Sequence, residues 1–461
     1  MSAQQDDRTD DDQPGGSRRL GPGDGPSPDE HPLPLISPED LEDAEVDGDR
    51  PFNPGTARAA LAYAGFRRVF AGFVASSVGT WMQNVVLNAY AYDLTGSATF
   101  VGLMNFATLG PMLLLSLVGG SMADRFDRRI QIIWLSVEQA VFAFVLAALT
   151  RSPDPAPALL LATVFAINIG QALVNPVFSA SLPTLVAKRD LPGAVSLMSG
   201  TMNLSRVVGA AVGPIVYLTW GVSWVFLVNA VTYFFMIAGI WSVAIPSPEP
   251  DPSQPGTFRR IADGFRIVRN DRVLYRIIVT CTAFSFFGLS FIGLMPVLAR
   301  TNFGIESKST QYAALFSIFG LGAMVGAFSI GTFLAGRDLT KLVRGAFAAF
   351  AVSLALFALW RSPWPAYPTA FAVGFGYFMA ITSLSTVLQE RVDNNARGRV
   401  LSIWLMAFGG TVALGPLVLG PVAEHLSITF VLLLGAVVAA GCAWYARLDE
   451  PADAPATSTA A

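Results

Sequence analysis

The sequence is poor in the residues on which metal sites and most soluble folds depend. Among 461 residues there are 2 cysteines and 2 histidines, and only 14% of the residues are charged. Soluble domains usually carry about a quarter charged residues. No Cys or His spacing is typical of a zinc, haem or iron–sulfur site. Cys281 and Cys442 both lie in apolar stretches. We therefore predict no disulfide, no metal and no cofactor.

Motifs of ATP-driven pumping and of hydrolysis are also lacking. The chain contains no GxxxxGK[ST] phosphate-binding loop and no hydrolase nucleophile constellation. These absences argue against a primary pump and against an enzyme.

Apolar sequence, by contrast, is abundant. Hydrophobic residues make up 53% of the chain, and several apolar runs approach the ~20 residues that cross a bilayer. The runs predict an all-α membrane protein with 12 transmembrane helices. The predicted spans cover 69–91, 98–122, 130–150, 158–183, 194–217, 223–244, 274–298, 311–335, 344–360, 365–388, 400–423 and 428–446.

The net charge of −3 combines two different regions. Residues 1–50 hold 15 of the 33 acidic residues and 4 of the 30 basic ones, so the remaining chain is basic. This acidic segment is rich in Pro and Gly and has too little apolar surface to offset chain entropy, which predicts disorder. It lacks the pattern of a secretory signal. We interpret it as a solvated tail, with regulatory docking as the alternative.

The basic residues predict the orientation in the membrane. With an even number of spans, 21 Lys and Arg residues outside the tail fall on the side of both termini, and four fall opposite, namely Arg151, Arg300, Lys308 and Arg361. Cytoplasmic loops carry the excess of Lys and Arg. We therefore expect both termini in the cytoplasm of a bacterial cell, with the chain in its inner or plasma membrane.

The two halves of the chain resemble each other weakly. LPTLVAKRDLPGAVSLM (182–198) and LQERVDNNARGRVLSIW (388–404) occupy equivalent places, and each precedes a Gly-Pro step. Such repeats are typical of two six-helix pseudo-symmetric bundles around a central cavity. The predicted regions are a disordered acidic cytoplasmic tail (1–60), an N-terminal bundle (61–244), a cytoplasmic linker with an amphipathic helix (245–273), a C-terminal bundle (274–447) and a C-terminal tail (448–461).

One dense charge cluster interrupts the apolar sequence, GGSMADRFDRRI at 119–130. It resembles the G-x-x-x-D-R-x-G-R-R loop motif of the major facilitator superfamily. Asp127 stands where glycine is usual, a form similar to that of enterobactin-exporter-like members. The stretches 79–103, 175–186, 203–214 and 258–278 are similar to that subfamily too, so the resemblance covers about 60–447. It implies a transporter fold.

The resemblance also implies a gating role for this motif, Gly120, Asp124, Arg125, Arg128 and Arg129. Asp124 would meet a helix N-terminus of the other half when the cytoplasmic side closes, because a carboxylate favours the positive end of a helix dipole. The helix that begins near Arg399 is the predicted partner. The alternative is an ordinary basic loop that only sets topology.

Ionisable residues inside the membrane are costly and therefore candidates for function. Glu138 lies near the middle of the third predicted span and Arg206 lies in the fifth. A carboxyl group there could bind and release a proton as its access to water changes sides. Proton coupling is one interpretation of both residues, and a structural partnership is the other. For Arg206, anion binding is a further possibility.

Two spans carry amides that could line a substrate cavity, or could equally hydrogen-bond helix to helix. The candidates are Gln83, Asn84, Asn88, Asn168, Gln171 and Asn175. A second set has the small residues that let helices approach closely. That set is Gly209, Gly213, Pro214, Gly415 and Pro416. In the family a Gly-Pro motif in the fifth span is associated with antiporters, but the glycines expected after the proline are missing here.

The segment 258–272 places apolar residues at helical spacing between arginines, which predicts an amphipathic helix on the cytoplasmic membrane face. A nucleic-acid role is not expected for so few arginines beside lipid.

These features favour a monomeric secondary active exporter of a small amphipathic molecule, such as a drug, a siderophore or a secondary metabolite, in exchange for protons. A function in multidrug resistance falls within that range. A proton-coupled importer or facilitator with the same fold is the main alternative, and a non-transporting scaffold is another.

Overall fold

A computed structural model of the chain describes residues 53–123, 125–246, 257–331 and 337–448. These residues contain helices and no strand. Most of the two predicted tails, 1–60 and 448–461, lies outside the described residues, as does Asp124, whereas 57–60 of the first tail belong to a helix. The α-helices, which we number in chain order, are α1 Ala57–Ala62, α2 Ala64–Thr95, α3 Ala98–Ala123, α4 Arg128–Leu149, α5 Pro157–Ser181, α6 Leu191–Trp220, α7 Val222–Trp241, α8 Thr257–Asn270, α9 Arg272–Ala283, α10 Ser290–Gly293, α11 Met295–Phe303, α12 Thr310–Gly331, α13 Leu339–Leu359, α14 Pro363–Arg391, α15 Asn394–Leu405, α16 Thr411–His425 and α17 Ile428–Tyr445.

Helical structure lies at every predicted span. Within the described residues, nine helical segments are long and apolar enough to cross a membrane. Three predicted spans are not among these nine segments, namely those at α2, α3 and α6. Of the three helices, α2 is the least apolar, because it carries several amides and hydroxyls. The prediction of an all-helical membrane protein is therefore confirmed.

Two predicted spans are less regular than the sequence suggested. The span at 274–298 is one continuous helix in the prediction, but the structure divides it into α9, a π-helical turn at Phe284–Gly288, α10 and α11. Gly288 and Gly293 lie at these breaks and Pro296 lies in the first turn of α11. Proline is tolerated in the first turn of a helix, but further along it lacks the N–H that would donate the helix hydrogen bond. The span at 400–423 likewise contains a π-helical turn, at Met406–Gly410, which includes Gly409 and Gly410.

Most helix packing occurs within each half of the chain. In the first half α2 packs on α6 and α7, and α5 packs on α3 and α4. In the second half α14 packs on α12 and α13, and α13 packs on α17. The two most extensive contacts between the halves are those of α3 along α16 and of α6 along α12. These two helix pairs hold the first half against the second.

The outer surface is apolar, as lipid contact requires. Trp364 is 80% exposed, and Trp220, Trp241 and Trp444 are each about two-thirds exposed. All four lie at or near helix ends. Exposed Trp residues near the ends of membrane helices occupy the headgroup region. The surface therefore indicates where the bilayer boundaries fall.

The amphipathic segment forms a helix, α8, that packs on α15. A Cβ atom on Gly264 would lie 2.8 Å from the carbonyl oxygen of Arg399, so this glycine permits the close approach. Val268 is buried, whereas Phe265 is half exposed. The helix between the two halves is thus attached to the start of α15.

Candidate functional site

A polar cavity of about 210 Å³ lies within the first half of the chain. Its walls come from α2 to α7, and they mix aromatic rings with hydroxyl and amide groups. Four of the predicted cavity residues line it, namely Asn84, Asn168, Gln171 and Asn175. Gln171 donates a hydrogen bond to Asn175 Oδ1 at 2.8 Å, and Asn168 donates to the carbonyl of Val164. Such walls suit a molecule with apolar surface and a few polar groups.

The structure places Gln83 elsewhere, in contact with α7 rather than in this cavity. Asn229 Nδ2 donates to Gln83 Oε1 at 2.9 Å, and both side chains are buried. Asn88 does not line the cavity either, and its Oδ1 is buried without a hydrogen-bond partner among the described residues. Thus four of the six predicted amides line the cavity, and Gln83 instead joins two helices.

Replacing Asn229 with leucine is expected to lower the free energy of unfolding by about 1–2 kcal/mol, because Gln83 would keep a buried amide without a partner. Unfolding in mixed detergent micelles, followed by circular dichroism, measures the change. The matched control is the double variant Gln83→Leu/Asn229→Leu, which removes both polar groups and should recover most of the loss. A double variant less stable than Asn229→Leu would contradict this account.

Glu138 lies on α4 beside α5, where it directly faces Gly170. A Cβ atom on Gly170 would lie 1.9 Å from Glu138 Oε2, so only glycine leaves room for the carboxyl group. Oε2 is buried and has no hydrogen-bond partner among the described residues. The neighbouring Ser136 and Gln139 line the cavity, whereas Glu138 itself does not. The carboxyl group is therefore held close behind the cavity wall.

Arg206 lies on α6 at the contact between the two halves. Its guanidinium carbon is 4.5 Å from the ring centroid of Trp81 on α2 and 5.0 Å from that of Phe378 on α14. No ion pair or hydrogen bond joins Arg206 to another described residue, and its Nε is buried. Glu138 and Arg206 are not brought together. Trp81 and Phe378 were missed from sequence, since nothing local distinguishes them from other aromatic residues in the spans.

The predicted packing glycines explain how Arg206 reaches Trp81. A Cβ atom on Gly209 would lie 2.6 Å from Trp81 Cβ, and one on Gly213 would lie 3.0 Å from the carbonyl oxygen of Met82. The absence of these side chains lets α6 lie directly against α2. In the second half, Gly415 lies against Ser290 and Phe286 in the same way, and Pro416 faces α3.

Hydrogen bonds from Asp127, Arg128 and Arg129 hold the charged loop after α3 in place. Asp127 caps α4 by accepting a hydrogen bond from the Ile130 backbone N–H at 2.9 Å. Arg128 donates to the carbonyls of Ala123 and Ala180 at 3.0 Å, and Arg129 donates to that of Trp241 at 2.5 Å. Asp127, which stands where the motif usually has glycine, thus serves as a helix cap. Gly120 lies within α3, and Arg125 is exposed.

The equivalent loop of the second half has the same cap. Asp338 accepts hydrogen bonds from the backbone N–H groups of Thr340 and Lys341 at the start of α13. The backbone bond from Lys341 holds the pKa of Asp338 below its usual range. Comparing the sequences of the two halves did not reveal that Asp127 and Asp338 correspond, because the residues around them differ. A common capping aspartate therefore begins α4 and α13.

At the opposite end of the molecule the two halves are joined by Glu424, a contact that sequence alone did not reveal. Glu424 at the end of α16 accepts hydrogen bonds from Ser97 Oγ at 2.7 Å and from the Thr99 backbone N–H at 2.9 Å. Its carboxylate thereby caps the N-terminus of α3. We call this the Glu424 end.

Further contacts close the Glu424 end between the halves. Tyr217 donates to Asp93 at 3.2 Å within the first half. Lys308 and Arg300 of the second half lie 5.5 Å and 5.9 Å from the rings of Tyr217 and Tyr92. Cations and aromatic rings attract each other at such distances. These contacts hold the two halves together at the Glu424 end.

Comparison with known proteins gives a consistent result. Residues 55–455 match the family described as transmembrane secretion effectors. The staphyloferrin A transporter of Staphylococcus aureus is 26% identical over 371 residues, which cover 76% of this chain and 87% of that protein. The enterobactin exporter EntS of Shigella flexneri is 25% identical over 381 residues, covering 80% and 89%.

Solved structures share the fold. A mutant of the nucleoside transporter NupG superposes with a TM-score of 0.68 at 14% identity, covering 83% of this chain and 98% of that one. A bacterial homologue of the lysosomal transporter Spinster, in an inward-facing and unoccupied conformation, gives 0.60 at 15% identity, covering 87% and 97%. With the match to the family over most of the chain, these likenesses identify the protein as a multi-pass membrane transporter of the major facilitator superfamily, in its transmembrane secretion effector family.

Proposed function

We propose that this protein exports a small amphipathic molecule, in the class of siderophores, across a bacterial plasma membrane in exchange for protons. The observation that carries the proposal is the cavity with amides in its wall, in a chain whose halves are also joined at the Glu424 end. The two relatives named above, a staphyloferrin A transporter and an enterobactin exporter, support a siderophore-like cargo.

The transport cycle would be a rocking of two six-helix bundles formed by 12 spans, with α2, α3 and α6 crossing the membrane beside the nine apolar segments. The two interhalf helix pairs, α3 with α16 and α6 with α12, would be the surfaces that slide and separate. The excess of basic residues on the side of both termini supports a cytoplasmic position for them, and the Glu424 end would then face outward. The protein would work as a monomer.

Glu138 would carry the coupled proton. A carboxyl group that faces a glycine and has no hydrogen-bond partner can change protonation without breaking an existing contact. It lies one residue from Gln139, which lines the cavity. Occupancy of the cavity and protonation of Glu138 would therefore influence each other.

Asp124 would close the cytoplasmic side. In the opposite conformation it would cap the N-terminus of α15, as the sequence motif implies. Glu424 makes the reciprocal contact at the other end, where the carboxylate ending α16 caps the start of α3. Each cap would stabilise one of the two conformations and have no partner in the other, which is how a contact biases a two-state equilibrium.

Everted and right-side-out membrane vesicles distinguish export from uptake. We expect an imposed pH gradient, acid inside, to drive accumulation of enterobactin or staphyloferrin A in everted vesicles, and an uncoupler to abolish it. Vesicles without the protein are the control. Accumulation driven only by an inward proton gradient in right-side-out vesicles would identify an importer instead.

A further inference from the structure

We propose that Arg206 is the binding site for the anionic group of the transported molecule, a carboxylate or an acidic catechol. This inference rests on the proposed transport function and names the chemistry of its cargo.

The faces of the guanidinium group are already occupied. Trp81 and Phe378 lie within 4.5–5.0 Å of its central carbon, as cation–π pairs do. Cation–π attraction strengthens when the pair is shielded from water, and a charged arginine inside the membrane is otherwise costly. The rings therefore make the cation tolerable without neutralising it.

The edge of the guanidinium group is different, because aromatic faces do not accept its five N–H donors well. Arg206 makes no hydrogen bond to any other described residue, and the buried Nε has no acceptor. The described residues thus provide no counter-ion for Arg206. A planar, fixed fork of donors matches a carboxylate or a pair of catechol oxygens.

Arg206 does not itself line the cavity, but two residues beside it do. Trp81 lines the cavity and also contacts Arg206. Met202, one helical turn earlier on α6, lines the cavity as well. Phe378 belongs to the second half of the chain, and Val207 lies 4.0 Å from the position of a Cβ atom on Gly320 of α12. An anion bound by Arg206 would therefore contact both halves at the surface where they move.

The test uses two probes of nearly equal shape, 2,3-dihydroxybenzoate and its neutral amide, 2,3-dihydroxybenzamide. Binding to the purified full chain in detergent is measured by scintillation proximity with each labelled compound. We expect the wild-type protein to bind the benzoate at least tenfold more tightly than the amide. In Arg206→Gln the ratio should fall below twofold, with the amide affinity unchanged within threefold. Arg447→Gln is the matched control, since Arg447 also lies over a tryptophan ring but is exposed.

A second variant keeps the inference testable if Arg206→Gln does not fold. Phe378→Glu retains Arg206 and introduces a fixed carboxylate beside it, which should abolish the preference for the benzoate. Retention of the tenfold preference in either folded variant, or a wild-type protein that binds both probes equally or neither, would overturn the inference. Binding in detergent needs neither a gradient nor a direction, so a failure of proton-driven export leaves this result unaffected.

Discussion

Glu138→Gln is expected to lower proton-driven export to below a tenth of the wild-type rate while leaving exchange of substrate across the membrane within twofold. The amide has nearly the shape of the carboxyl group, and therefore fits against Gly170, but it does not release or take up a proton. Exchange of labelled for unlabelled substrate requires the conformational change without net proton movement. Loss of one activity with survival of the other would thus identify coupling rather than folding as the defect.

Two further variants make the Glu138 experiment specific. Glu390→Gln removes a carboxyl group at the exposed end of α14 and should export normally. Gly170→Ala keeps Glu138 but places a methyl group where Oε2 now lies, so the carboxyl group must move and export should fall severalfold. Uncoupler-sensitive export by Glu138→Gln at more than half the wild-type rate would contradict a proton-carrying role.

Gly102→Val is expected to reduce transport to a few per cent of wild type by preventing closure at the Glu424 end. A Cβ atom on Gly102 would lie 2.2 Å from the carbonyl oxygen of Pro416, and one on Gly420 would lie 2.7 Å from that of Ala98. These contacts bring α3 and α16 together beside the Glu424 cap. Since both carbonyls belong to helix backbone, the helices must separate to admit a side chain, and the closed conformation is destabilised.

Cysteine labelling measures the separation of α3 from the second half directly. Asn105 is buried where α3 meets Gly293 of α10, and native Cys281 and Cys442 are buried as well. In an Asn105→Cys background, Gly102→Val should raise the rate of reaction with a membrane-impermeant maleimide by about tenfold, on the order of 1.4 kcal/mol in favour of the open form. Gly200→Val is the matched control, because no atom from elsewhere in the described part of the chain lies within 4 Å of a Cβ atom on Gly200. Normal transport and slow labelling in Gly102→Val would show that closure does not depend on this contact.

The sequence by itself determined the class of this protein, the positions of its helices and its family. Each of these follows from local properties, since an apolar run enters lipid and a basic loop stays in the cytoplasm whatever its neighbours are. The charged stretch at 119–130 could be assigned to the superfamily because its pattern is contiguous. The division of 274–298 by two turns was missed, because single glycines and a proline in an apolar run do not show where a helix breaks.

Only the tertiary structure decided which polar residues meet. Asn229 pairs with Gln83, Glu424 reaches Ser97, and Arg206 lies over Trp81 and Phe378, all across long sequence separations. Such pairs depend on how far each helix is rotated and how closely it approaches the next. Small residues such as Gly209 set that approach, because a single Cβ atom would move the helices apart. The contact between Arg206 and its aromatic partners therefore depends on how the helices pack, and no local sequence pattern predicts it.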